Sequence, residues 1–440
     1  MTGSRGTTSA HPVTPRPAAP TPVPAAARPP DGAPPPAIDV RARVEPGTVA
    51  ALDRLARWDL TSVATIRASY AAVAAPPAPP TPGVMRTDAT IAGVDGRPDV
   101  RVRWYRPDLR SGADPGLAEA GADTRLGAVA LPCLLWLHGG AYVMGTLDEN
   151  DDRLERMVLE LGCAIVSVDW RLAPEHPYPQ GLDDAATVWA RLVEDPAAHG
   201  VDPDRLVVGG ASAGAGLAAA LCLRLRAAGS PQPALQLLIY PMLDDRELTA
   251  SIRASEAPGH WGLWHLRANR LCWGAYLSDL LPAVPAGNDS VSTVPTGDPP
   301  LAVPADGDRA PADPAPKKPT PDDAEGTDEP GGWDIPACAA PARATDLAGL
   351  APAYLCIGDV DAFLDENLDY AARLARAGTP VELHVYPGVI HGGFGTIPRT
   401  PRTAQLLRDV YAALATAFGS SGPSAGDPRR VLEPVERAAP

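Results

Sequence analysis

The chain has 440 residues, 45% of them hydrophobic, which suffices for one large domain or two to three average ones. Its 53 prolines, more than twice ordinary usage, predict structureless segments beside a packed core. A net charge of -15 argues against a nucleic-acid partner, because phosphate binding needs clustered positive charge. The N-terminus lacks the apolar stretch of a secretory signal, and no run approaches the roughly 18 apolar residues of a membrane helix, so neither secretion nor a membrane span is expected.

Residues 1–38 are rich in Pro, Ala and Thr without periodicity and predict a disordered tail. Order is expected from about residue 39 to 419, with residues 420–440 a second disordered tail. The stretch "VEPGTVAALDRLARWDLTSVATIRASYAAV" repeats Val49, Leu52, Leu55, Val63 and Ile66 at roughly helical spacing. "VRVRWYRP" alternates with period two like a half-buried strand. Residues 129–137, 163–169, 205–209, 234–240 and 352–358 read as strands buried on both faces, and 381–386 is a further candidate. Helical patterns lie between them at 151–162, 182–195, 215–229, 365–378 and 403–418, several ending at Gly. This alternation predicts an α/β fold with a mostly parallel sheet covered on both faces.

Two segments interrupt it. Residues 245–280 hold a helix-like stretch with Trp261, Trp264, Trp273 and Tyr276. Residues 284–334 are Pro-rich and set eleven acidic residues against three basic ones, which predicts a disordered insertion. The six cysteines show neither C-x-x-C nor metal-ligand spacing. They read as reduced, buried thiols of a cytoplasmic protein with no metal site.

The chemistry centres on "GGASAGAGLAAALC". Gly210-Ala211-Ser212-Ala213-Gly214 is G-x-S-x-G, and its setting between a buried strand and a helix is that of a nucleophile elbow. One residue earlier, Gly209, Ala211 and Gly214 mimic a degraded dinucleotide fingerprint. The ribose-binding acid expected about 20 residues on is missing, since no Asp or Glu occurs between Arg205 and Leu243. A serine nucleophile needs a base, and the base an acid. Asp361 follows the strand at 352–358 and His391 lies in a Gly-flanked loop after the strand at 381–386, giving the order Ser, Asp, His. Asp359 competes with Asp361 for the acid's place. His384 reads as structural, and Asp365 and Glu366 suit a helix start. In "LLWLHGGAYVMG", Gly139 and Gly140 open a loop whose N–H groups can face an oxyanion together with that of Ala213. His138 is expected to orient this loop, and Arg171 and Glu175 to support its surroundings.

Four blocks, "HGGAYVMG", "VDWRLAPEHPYPQGLDDA", "GGASAGAGLAAAL" and the stretch from "DLAGLAPAYLCIGDVDAFLDE" to "YPGVIHGGFG", resemble the hormone-sensitive-lipase-like family of α/β-hydrolases. The resemblance implies Ser212 as nucleophile, His391 as base, Asp361 as acid, and Gly140, Ala141 and Ala213 as oxyanion-hole donors, with Gly139 adjacent. It also implies a helical cap from about 41–75 and 245–280. The expected function is a serine carboxylesterase acting on a small or medium-chain ester without metal or organic cofactor. An amidase or acyltransferase, or a receptor that has lost catalysis, are the alternatives. The Pro-rich segments are expected to be available to a protein partner. The chain departs from the family's pattern at Ala141, where a third Gly is usual, at Ala211, where an acid is frequent, and at Gly393, inserted into H-G-F.

Overall fold

A computed structural model describes residues 40–52, 59–73, 79–108, 130–256, 264–281, 335–394 and 400–419. The two tails, the acidic insertion and Trp261 lie outside these residues. Among the described residues, eight strands form one sheet in the order β1 (Val84–Ile91), β2 (Val100–Pro107), β4 (Ala164–Val168), β3 (Leu131–Leu137), β5 (Val201–Ala211), β6 (Leu235–Ile239), β7 (Ala353–Gly358) and β8 (Val381–Tyr386). Every pairing from β4 to β8 is parallel, while β1 and β2 join antiparallel at one edge. All residues of β4, β6 and β7 are buried, as strands covered on both faces should be.

The helices, in chain order, are α1 (Val40–Arg43), α2 (Pro46–Leu52), α3 (Val63–Val73), α4 (Asp151–Leu161), α5 (Gln180–Glu194), α6 (Ala213–Ala227), α7 (Ala250–Ala254), α8 (Leu266–Tyr276), α9 (Leu364–Arg376) and α10 (Pro401–Ala417). α4 packs with α10 on one face and α5 with α6 on the other. α3 lies against α8. Where one helix-like stretch is expected over 245–280, the described residues hold two helices, α7 and α8.

Strand β1 is absent from the sequence reading. Its core-facing pattern is confined to Val84 and Ile91 at its ends, and its interior carries Arg86, Thr87 and Asp88, so no apolar period marks it. Its polar residues are held in an ion-pair lattice. Arg86 meets Asp151 at 2.6 Å and Glu155 at 3.1 Å, and Asp88 is gripped by Arg101 at 2.7 Å and Arg103 at 2.6 Å. The central strand also differs from expectation. β5 runs to Ala211 and α6 begins at Ala213, so the turn between them is Ser212 alone.

Candidate active site

Ser212 has φ 55° and ψ −121°, a conformation that costs of order 1–3 kcal/mol for a residue with a Cβ. The surroundings hold it there. Ser212 N–H donates to the Ile239 carbonyl at 2.9 Å, and its own carbonyl accepts from Gly216 at 3.0 Å and Met242 at 3.1 Å. The glycines around it serve close approach. A Cβ on Gly214 would lie 2.0 Å from the Leu137 carbonyl oxygen and one on Gly210 2.4 Å from the same atom. Although Ser212 occupies the N-cap of α6, its hydroxyl makes no capping bond.

That hydroxyl instead faces His391, whose Nε2 lies 3.0 Å from Ser212 Oγ. His391 Nδ1 lies 2.9 Å from Asp361 Oδ2. A carboxylate only accepts, so Nδ1 carries the proton and Nε2 is left to accept from the serine. The other oxygen of Asp361 accepts the Phe363 N–H at 2.9 Å, which fixes the carboxylate from behind. The Asp361 side chain is fully buried and that of His391 is 12% exposed. Ser212, Asp361 and His391 thus come from the ends of β5, β7 and β8 and meet as one relay, at the C-terminal edge of the sheet where such folds place their sites.

Asp359 is elsewhere. Its Oδ1 accepts the Gly388 N–H at 2.6 Å and its Oδ2 pairs with Arg43, with no contact to the imidazole. Of the rings around His391, sequence reasoning singled out Trp264 and missed Tyr240 and Phe363. Tyr240 and Phe363 stand edge-on to it at centroid distances of 4.8 and 4.9 Å, and Trp264 lies at 6.4 Å. Tyr240 follows β6 and Phe363 follows Asp361 by two, so adjacency to strand ends is the only signal either carried.

The loop after β3 is oriented by its carbonyls. His138 Nδ1 lies 2.7 Å from the Gly139 carbonyl oxygen, and the Gly140 carbonyl accepts from Val143 at 3.0 Å and Met144 at 2.9 Å. In a trans peptide the N–H points opposite its C=O, so these bonds turn the N–H groups of Gly140 and Ala141 away from the loop's interior. Ala213 opens α6, where an N–H has no intrahelical acceptor. Gly139 lies against the elbow, with a Cβ there 3.1 Å from the Ala211 carbonyl oxygen and 3.6 Å from Ser212 Cβ. His138 is buried and stacked on Trp170 at 4.8 Å, and its Nε2 has no hydrogen-bond partner among the described residues.

Arg67, unremarked in the sequence, ties α3 to this loop. It donates to the carbonyls of Val143 and Ala173 at 2.6 Å each and to both oxygens of Glu175 at 2.7 and 2.6 Å. The guanidinium holds the Glu175 carboxyl down to about 2. Arg171 is bound to Asp184 and Gln180, so neither member of this apparent charged pair reaches the relay. Of the tryptophans, Trp264 adjoins His391, while Trp273 packs on Tyr142 at 5.0 Å and Tyr276 at 5.9 Å within the helical layer. Glu366 supports the elbow from below, accepting the N–H groups of Leu243 at 2.8 Å and Asp244 at 3.3 Å. Those residues follow Met242, the donor to the Ser212 carbonyl.

An eight-stranded α/β sheet with a strained serine after its central strand and a Ser-His-Asp relay at its rim defines a class before any comparison. A family model of the alpha/beta hydrolase fold matches residues 134–301 and 325–395, and the chain belongs to that family. A carboxylesterase of Mycobacterium tuberculosis, NlhH, is 28% identical over 335 residues, covering 76% of this chain and 83% of its own. An ethyl acetate hydrolase of Pseudomonas putida is 30% identical over 308 residues, covering 69% and 74%. Among solved structures, a bacterial heroin esterase superposes with TM-score 0.61 at 30% identity, covering 89% of this chain and 99% of that one.

Proposed function

We propose that Ser212, His391 and Asp361 hydrolyse carboxylic esters through an acyl-enzyme, with the N–H groups of Gly140, Ala141 and Ala213 as the oxyanion hole and Gly139 shaping its approach. The chain is a carboxylesterase-type hydrolase, as its esterase-named relatives support. The observation that carries the residue assignment is the continuous relay Ser212 Oγ, His391 Nε2, His391 Nδ1 and Asp361 Oδ2, with links of 3.0 and 2.9 Å.

Ser212 Oγ bonds to the ester carbonyl carbon while its proton passes to His391 Nε2, and the carbonyl oxygen becomes an oxyanion facing the three backbone donors. The C–O bond to the alcohol then breaks, and the imidazolium returns the proton to the leaving alkoxide. Water repeats the sequence on the acyl-serine, giving up a proton to His391 as it attacks, and Ser212 regains a proton as the carboxylic acid departs. Asp361 stabilises the imidazolium and fixes its tautomer. The described helices α2, α3, α7 and α8 act as a cap, and Trp264 lines the acyl side of the site, which suits a small or medium apolar acyl group. A cytoplasmic location goes with this reading, supported by five buried thiols that pack as core residues.

The test is hydrolysis of a 4-nitrophenyl ester series from acetate to laurate. Ser212→Ala is expected to lower kcat by about 10⁶, and Asp361→Asn by about 10⁴ through loss of the productive tautomer. Turnover retained by folded Ser212→Ala would refute the assignment.

A further inference from the structure

The acid and base turns share a brace outside the relay. Asp361 lies three residues beyond β7 and His391 five beyond β8, so their side chains sit on two turns, which meet directly where the Asp359 N–H donates to the Tyr386 carbonyl at 3.1 Å. Residues immediately before each, Val360 and Ile390, pack with Val40 and Val44 in an apolar cluster separate from the main core, with Val49 at its margin. A single carboxylate runs parallel to this cluster. Asp359 accepts the Gly388 N–H of the base turn at 2.6 Å through one oxygen and the Arg43 guanidinium through the other. Gly388 has φ 73°, and a Cβ there would stand 2.6 Å from the Arg43 carbonyl oxygen, so α1 abuts the base turn backbone to backbone.

We propose that α1 with the residue after it, through Val40, Val44 and the Arg43–Asp359 ion pair, is a staple that sets the separation of the Asp361 and His391 turns, making Arg43 a positioning residue for ester hydrolysis. The proposal rests on the assignment of the relay made above. Its physical basis is the steep dependence of rate on geometry: a misplacement of about 1 Å originating away from the chemistry can cost on the order of 10²-fold. Arg43 is 43% exposed, and an ion pair so open to solvent contributes little to global stability. Loss of the pair is therefore read in turnover rather than in the melting temperature.

The experiment compares Arg43→Met, Arg43→Lys, Asp359→Asn and the Arg43→Met/Asp359→Asn double variant of the full chain. Asp359→Asn keeps an acceptor for Gly388 while discharging the partner of Arg43. For each, kcat and KM are measured with 4-nitrophenyl butyrate, together with the thermal midpoint and the rate of Ser212 modification by a small dialkyl fluorophosphate, which needs the relay but no acyl pocket. Arg43→Met is expected to lower kcat and the modification rate together, by about 5- to 30-fold, with KM within about twofold and the midpoint nearly unmoved. Arg43→Lys should recover most of the loss, and the double variant should be no slower than the slower single variant, as for one shared interaction. If Arg43→Met aggregates, Asp359→Asn gives the same readout.

A kcat and modification rate within twofold of the parent in these variants overturns the staple, as does an effect on KM alone or a loss matching the fraction unfolded. Ser212→Ala, run alongside, separates the two readings. Activity there strikes the relay itself, whereas an inactive Ser212→Ala beside a fully active Arg43→Met strikes only the staple.

Discussion

The turn at Ser212, proposed above as the nucleophile elbow, and the loop after β3, proposed to supply oxyanion donors, lie against each other at Gly139, and both hold residues at positive φ, yet they meet that demand differently. In the elbow, Ser212 sits at φ 55° among residues whose lack of a side chain is a matter of space, since a Cβ on Gly210 or Gly214 would run into carbonyl oxygens of β3 and its following loop. In the loop, Gly140 at φ 119° is followed by Ala141 at 52° and Tyr142 at 65°, two residues that carry side chains through the left-handed region. Tyr142 offsets its strain by stacking on Tyr276 at 4.0 Å and donating its hydroxyl proton to the Met242 carbonyl at 3.0 Å. The elbow's glycines are thus constrained by space alone, whereas the loop meets both demands, carrying Ala141 and Tyr142 through the left-handed region beside Gly140, where a Cβ would also fall 1.9 Å from the Met144 carbonyl oxygen.

Substitutions that add or remove a single methyl group test this contrast most directly. The largest effect is expected from Gly214→Ala, where the new Cβ would fall 2.0 Å from the Leu137 carbonyl oxygen and 2.3 Å from that of His138. Neither is the end of a flexible side chain. The variant should lose at least about 3 kcal/mol of stability in denaturant titration, along with most of its esterase activity. A variant with the parent's stability and turnover would mean the elbow has slack that its contacts deny.

A smaller effect is expected beneath the elbow, at Glu366. Burial, and then the neighbouring Asp244 carboxyl, push its own carboxyl well above the ordinary value. The folded protein therefore holds this proton more tightly than the unfolded chain does. Its contribution to stability is fully present below the unfolded value near 4.5 and is lost as pH rises toward the folded one. Glu366→Gln keeps an oxygen for the Leu243 and Asp244 N–H groups without the titrating proton. Melting curves should show the variant gaining on the parent from pH 5 to pH 8, by about 3 °C. A constant difference across that range would show that Glu366 does not titrate with folding.

Much of this was legible in the sequence, for reasons that differ residue by residue. Ser212 and Asp361 each follow an apolar strand and His391 follows the alternating strand β8, and the parallel topology of these strands brings their C-terminal ends to one rim. The structure now joins the three by hydrogen bonds. Asp359 and Asp361 were indistinguishable on position alone, because the direction in which a turn presents its side chains depends on contacts with distant segments. Arg43 illustrates the same limit, for its partner lies 316 residues away and no local pattern links them. Strand β1 was hidden for the opposite reason. Its interior side chains meet ion pairs rather than an apolar face, so the periodicity that reveals β2 has no counterpart there. The aromatic rings around His391 and the carbonyl bonds that orient Gly140 and Ala141 are products of packing, which spacing does not encode.

Ala141→Gly gives the finest measure of the loop after β3 and of its proposed oxyanion role. At φ 52° an alanine bears a penalty of roughly 1–2 kcal/mol that glycine avoids, while glycine gives back about 0.4–1 kcal/mol through the greater freedom of its unfolded chain. The difference predicts a gain between about 0 and 1.6 kcal/mol, visible as at most a modest rise in the denaturation midpoint. Activity decides what the alanine does beyond this. The Ala141 N–H is oriented by the Gly140 carbonyl, whose acceptance of two N–H groups does not involve the Ala141 side chain. If those bonds set the donor's direction, kcat should stay within about threefold of the parent. A fall of 10²-fold or more with stability raised would mean that the methyl group, buried at 3% exposure, itself holds the donor on target. In that case the loop is constrained by contact after all, and its distinction from the elbow becomes one of degree.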